Sequence, residues 1–222
     1  MPTTIFKFIN KYFFICFIYL SFYNQNLYAS KEPIIRVLIA KEKKLRIRSD
    51  SNIPLIVKYK KLIKEDVKGI TLTKDRDSIK LFFDKNKSKF YEIERDKGLL
   101  IKSNDKRGIW VGGKRYSGLI NIKNLKNKIL VVNILGIEKY LTSVVGSEMP
   151  HKWPLEALKA QAIASRTYAL KKTGNDLYDI DSTQKDQVYN GLESNTYKTS
   201  KAVKYTRSLV ITHKNKLINA LF

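Results

Sequence analysis

Hydrophobic residues change their spacing near residue 133, and that change limits the chain to folds that mix sheet with helix. Before it, residues 34–39, 45–48, 53–57, 70–73 and 79–83 form short apolar-rich segments, several alternating apolar with polar residues. Such alternation marks half-buried strands. Arg107-Gly108 and Gly112-Gly113 supply turns. After it, Ile137, Tyr140, Leu141, Val144 and Val145 repeat at helical spacing. Asn133 is the expected cap of this helix and Gly146 its expected end. Pro154 suits the first turn of a second helix, expected to reach residue 172 and to end near Gly174. A strand at Val188-Tyr189, a helix over residues 199–205 and strands over residues 209–212 and 217–220 complete the reading. The expected class is α+β: a β-rich N-terminal part, built as a small sheet or open barrel, then a two-helix segment and C-terminal strands.

The first 29 residues read as an export signal. Lys7 and Lys11 precede an apolar run over residues 13–22, and Leu27-Tyr28-Ala29-Ser30 offers an imperfect small-residue cleavage site. That run is shorter than the roughly 20 residues that span a bilayer. Membrane contact is expected only if the segment stays on as an uncleaved anchor. The expected divisions are residues 1–29 as signal, 30–132 as the β-rich part and 133–222 as the core that follows. The single cysteine, Cys16, lies inside the signal, so the remainder has no thiolate chemistry. His151 and His213 have no zinc-site spacing, so neither a metal nor a cofactor is expected. The net charge of +23 comes from scattered lysines, without a zinc-finger or RNA-binding signature. Nucleic acid is therefore not the expected partner.

Glu148 is the foremost candidate for chemistry. It falls in the stretch EMPHKWP between the two helices, beside Met149, Trp153 and two prolines. A carboxylate fixed among apolar groups is poorly hydrated and is expected to hold its proton near neutral pH. Residue pattern alone leaves two readings level, an acid catalyst or a cap for the next helix. On the second helix, Lys159 and Arg166 lie seven residues apart and point the same way, into the apolar sector. Buried cations need partners. They either pair with core carboxylates such as Glu138 or Asp181, or line a cleft and meet an anion. Gln161, Ser165 and Tyr168 share another face. An aspartate in the loop beyond is most often a turn-former.

Residues 143–150, Ser-Val-Val-Gly-Ser-Glu-Met-Pro, and the pattern W-P-x-E-A-L-K-A-Q-A-x-A-x-R-T-Y-A over residues 153–169 resemble the stage II sporulation protein D / LytB amidase-enhancer family. Asp181, Gln187, Val188, Tyr189 and Gly191 resemble its D…QVYxG segment. The resemblance covers about eighty residues and is weaker over the β-rich part. It implies an exported, periplasmic or envelope protein acting on bacterial peptidoglycan, with Glu148 as general acid and base of a lytic transglycosylase. Lys159, Gln161, Arg166, Tyr168, Gln187 and Tyr189 become the expected contacts to peptide-stripped glycan strands. It equally admits a non-catalytic enhancer whose partner is an N-acetylmuramoyl-L-alanine amidase. Family members continue past the segment resembling residues 219–222, so the resemblance implies a core incomplete at its C-terminal end.

Overall fold

The computed structural model describes residues 32–222 except residues 51, 85, 95–97 and 173–175. The expected export segment and the expected helix end at Gly174 lie outside the described residues. The β-rich expectation holds, as two sheets, antiparallel but for one short edge pair, in place of a single small sheet or barrel. The strands are β1 (Ile34–Glu42), β2 (Lys44–Arg48), β3 (Leu55–Tyr59), β4 (Leu62–Val67), β5 (Gly69–Asp75) and β6 (Ser78–Phe83). They continue as β7 (Asn86–Ile93), β8 (Leu99–Ser103), β9 (Ile109–Val111), β10 (Lys114–Tyr116), β11 (Leu119–Asn124) and β12 (Ile129–Gly136). One sheet runs β13-β1-β12-β11-β8-β3-β4, where β13 is the short strand Ile180–Asp181; the other runs β10-β9-β2-β5-β6-β7. The β1–β13 pair is parallel, with Val37 opposite Ile180.

Alternation along these strands sends one side chain in two inward. Ile35 and Val37 of β1, Ile70 and Leu72 of β5, Ile79 and Leu81 of β6 and Ile120 and Ile122 of β11 are all buried in one continuous core. Helices α1 (Ile137–Glu148), α2 (Leu155–Lys171) and α3 (Tyr197–Tyr205) add Tyr140, Leu141, Val144, Leu158, Ala162 and Val203 to that core. Sheets and helices thus bury their apolar faces against one another, as layered domains must.

The structure corrects several local expectations. Asn133 does not cap a helix; it is buried in β12, opposite Val37 and Ile120, and α1 is entered through Gly136. Val188-Tyr189 is not a strand, and the C-terminal strands shrink to a hairpin, β14 (Thr212–His213) and β15 (Lys216–Leu217). Thr196 caps α3 reciprocally with Thr199, so this helix starts two residues before the expected residue 199.

Gly146 lies inside α1 rather than at its end. Its role is proximity. A Cβ built there would stand 2.0 Å from the Ser194 carbonyl oxygen, in the 3-10 turn Gly191–Ser194. No side-chain rotation can clear a backbone atom, so only glycine permits this approach. Gly146→Ala is expected to destabilise the fold by about 1–3 kcal/mol, the range for overpacking a tight contact. Urea denaturation followed by circular dichroism checks this; unchanged stability would mean that helix and turn separate at no cost.

Candidate functional site

Glu148 is the last residue of α1, not a loop residue. One of its oxygens, Oε1, accepts the backbone N–H of Val188 at 2.6 Å. Oε2 accepts no hydrogen bond from the described residues, and the carboxylate is in no ion pair among them. The carboxylate is therefore held through one oxygen. Trp153, expected to wrap it in apolar bulk, is half-exposed, whereas Met149 packs against the core.

The Val188 amide is itself held from both sides. Gln187 is fully buried; its Oε1 accepts the Tyr140 hydroxyl at 2.8 Å and its Nε2 donates to the Ser165 carbonyl at 3.3 Å. Tyr189 donates its hydroxyl to Asn133 Oδ1 at 2.7 Å, and its backbone N–H donates to the Ser182 carbonyl. Asn133 in turn donates to the carbonyls of Ser117 and Leu119, which fixes its amide and ties the segment to the sheet. The Tyr189 ring packs between Tyr140 and Tyr116, with centroids 5.2 and 5.7 Å away.

Burial raises the Tyr140 hydroxyl well above its ordinary pKa, and the nearby Tyr189, Asp186 and Glu148 add to the effect. Burial likewise raises Tyr189, and Tyr116 to about 12. These phenols remain protonated at any physiological pH, so Tyr140 is a permanent donor. The Ser165 carbonyl, which can only accept, sets the Gln187 amide with its nitrogen toward Ser165 and its oxygen toward Tyr140. The sequence led us to expect glycan contacts from Gln187 and Tyr189, but both are buried. Their polar atoms are spent inside the protein, where they hold Val188 for Glu148.

Arg166 is a second correction. It is 1% exposed, and its Nε and Nη2 grip both oxygens of Glu138, at 2.9 and 2.7 Å. Nη1 reaches the Leu209 carbonyl at 3.1 Å. Of the two expected readings, pairing with Glu138 is the observed one. Glu138 begins α1 and Glu148 ends it, about 15 Å apart along the axis. Lys159 instead reaches the surface, where it pairs with exposed Glu156 at 2.8 Å and lies over the Tyr205 ring. Long cationic side chains commonly extend to water in this way.

Tyr168 and Gln161 lie at the margin of the site. Gln161 Nε2 donates to Ser165 Oγ at 3.2 Å, which links it to the residue whose carbonyl holds Gln187. Tyr168 donates to Asp186 Oδ1 at 2.8 Å, where Lys172 also pairs at 2.7 Å. Asp181 is a turn-former: its Oδ1 accepts from the Thr183 amide and hydroxyl. Asp179 is claimed by Arg36, which meets it at 2.6 Å.

The sequence reading missed Asp186, Ser147 and the Val188 amide. Asp186 stands beside the motif and resembles any other loop aspartate. Ser147 donates to Ser194 Oγ and accepts from Asn190 Nδ2, bracing the end of α1. A backbone amide has no side-chain signature at all. Among the described residues no group of three His, Cys, Asp or Glu is placed to hold a metal ion.

Comparison with known proteins supplies independent findings. Residues 125–213 match the family described as stage II sporulation protein. An uncharacterized protein of Brachyspira hyodysenteriae is 40% identical over 56% of this chain and 34% of its own length. The amidase enhancer of Bacillus subtilis is 40% identical over 51% of this chain and 16% of its own length. Stage II sporulation protein D of the same organism is 33% identical over 41% of this chain and 32% of its own length. The chain thus spans about a third or less of these relatives.

Two outcomes test the site's supports. Arg166→Gln is expected to cost about 3–5 kcal/mol, because it removes the two-pronged partner of a partly buried Glu138, whereas the double change Arg166→Met with Glu138→Leu recovers most of that loss. Equilibrium denaturation of both variants reads the difference. The second outcome concerns Asp186. Burial pushes its pKa up, but the Asp181 N–H, Lys172 and Tyr168 outweigh burial and hold it below its ordinary value. A depressed folded-state pKa gives stability that is complete above the ordinary value, about 4, and is lost as pH falls through the folded value. Asp186→Asn should therefore flatten the fall in stability below about pH 4. Thermal melts across pH 2–7 check it, and an unchanged acid limb would assign that fall to other carboxylates.

Proposed function

Because residues 125–213 belong to the stage II sporulation protein family, we infer that this chain is an exported envelope protein that cleaves the glycan strands of peptidoglycan by lytic transglycosylation. Glu148 is its general acid and base. The carboxylate protonates the glycosidic oxygen as the bond breaks. It then takes the proton from the sugar's own 6-hydroxyl, which closes an anhydro ring. A single carboxylate suffices because the nucleophile belongs to the substrate, unlike the two-carboxylate scheme of glycoside hydrolysis.

The observation that carries this reading is the half-held carboxylate: Oε1 fixed by the Val188 N–H and Oε2 left without a protein partner among the described residues. Glu138, by contrast, has both oxygens engaged by Arg166. Gln161 and Tyr168, at the margin of the site, are the residues proposed to meet the glycan. Export is proposed from the segment over residues 1–29. Among the described residues no helix is long and apolar enough to cross a membrane.

A second reading has its own support, since one relative is an amidase enhancer. In that case the chain binds the wall and stimulates a partner amidase without cutting glycan. Glu148→Gln separates the two. Glutamine keeps an oxygen for the Val188 N–H, so the fold is retained, but it cannot donate the proton. Cleavage of peptide-stripped strands, followed by mass spectrometry of anhydro products, is expected to fall by about 10²–10⁴-fold. A folded variant that cleaves at the wild-type rate would remove Glu148 from the chemistry. A wild-type protein without anhydro products that still stimulates an amidase would establish the enhancer.

A further inference from the structure

A cavity of about 600 Å³ opens on the other flank of α1 from Glu148. Lys139 and Thr142 of α1 line it. Lys139 is nine residues from Glu148, which at 100° per residue turns it about 180° away. The opposite walls are the end of β8, the loop that follows it and the β10–β11 connection; the 3-10 turn and the start of α3 close it. Its volume falls within the usual range for small-ligand sites, roughly 300–1,000 Å³.

The lining has a definite chemistry. Lys102, Lys106 and Lys139 all contribute, and their side chains make no ion pair among the described residues. Asp105 is the acidic residue of the lining, and Arg107 already binds it at 3.2 Å. The wall is therefore net positive, and a concave positive surface concentrates anions. Asn195 also lines the cavity, and its Oδ1 is buried with no hydrogen-bond partner among the described residues. A buried acceptor without a donor is uncommon, and a ligand N–H can supply the missing bond after a small turn of the amide. Hydroxyls of Ser117, Thr142 and Ser200 alternate with the apolar side chains of Leu119 and Leu192. The aromatic residue of the lining, Tyr116, is 4% exposed and packs on Tyr189, so no free ring is offered to a sugar face.

We propose that this cavity binds a short carboxylate-bearing peptide: the lysines take its carboxylates, Asn195 and the hydroxyls take its backbone, and the leucines take its small side chains. Peptide arms of the wall polymer and an acidic segment of a partner protein share this chemistry. The site is independent of the glycan-cleavage reading, because its occupation needs neither Glu148 nor turnover.

Fluorescence anisotropy with the full chain tests it, using a labelled tetrapeptide Ala-Glu-Ala-Glu as probe. Binding is expected to weaken at least tenfold in the variant carrying Lys102→Gln, Lys106→Gln and Lys139→Gln, and to persist in Glu148→Gln. The three lysines are exposed, so folding is preserved. A variant with Lys43→Gln, Lys58→Gln and Lys68→Gln has the same net charge and is expected to bind like wild type. If it loses as much affinity, overall charge alone attracts the probe and the site is refuted. Equal binding of Ala-Gln-Ala-Gln, or displacement of the probe by neutral N-acetylglucosamine tetramer, would also overturn the proposal. Competition by a stem peptide released from peptidoglycan, compared with an acidic synthetic peptide of unrelated order, then tells the two sources apart.

Discussion

The buried Arg166 guanidinium is the joint on which the helical half depends. It has five N–H donors. Five acceptors surround it: both oxygens of Glu138, and the carbonyls of Ala162, Val203 and Leu209. These come from α1, α2, α3 and the segment after α3. A cation in an apolar interior is costly unless every donor is met. Once met, it forces four chain segments into one arrangement, since displacing any of them strands a donor. The position of α1, and with it of Glu148, follows from this fit at the opposite end of the same helix.

A second chain of dependence runs from the sheet. Asn133 in the middle of β12 holds Tyr189, Tyr189 and Gln187 flank Val188, and Val188 aims Glu148. Asn133, Gln187 and Tyr189 are buried, Val188 is half-buried, and each uses a protein partner, so the carboxylate is directed by the sheet as much as by its own helix. Preorganisation of this kind spares an active group the reordering that water would demand during reaction. The residues most buried around Glu148 are therefore those whose polar atoms are bonded within the protein.

Much of this arrangement was legible in the sequence. The change of spacing near residue 133 separated sheet from helix to within four residues, because the near-continuous apolar run of β12 gives way to the i, i+3, i+4 pattern of α1. Glu148 stood out, as did Glu138 as one of two partners for Arg166. What stayed hidden was burial and direction. Gln187 and Tyr189 carry groups that bind sugars on a surface, and only the packing of three tyrosines shows that they face inward. Lys159 has the same helical phase as Arg166, yet it sits two turns nearer the start of α2 and reaches exposed Glu156. Glycine at 146 had the local signature of a helix end. Its actual purpose depends on a chain segment almost fifty residues later, which no local pattern encodes.

That glycine has a consequence for motion. Where α1 meets the turn Gly191–Ser194, backbone lies almost against backbone, with no side chain between to compress or rotate. Side-chain contacts yield by changing rotamer; a main-chain contact yields only if a whole segment moves. Helix α1 therefore has little freedom to roll about its long axis at this point. The cavity on one flank and the carboxylate on the other share a wall that behaves as a rigid partition. Pressure from an occupant on the Lys139 side would pass to the Glu148 side as displacement of the helix as a unit, not as local give.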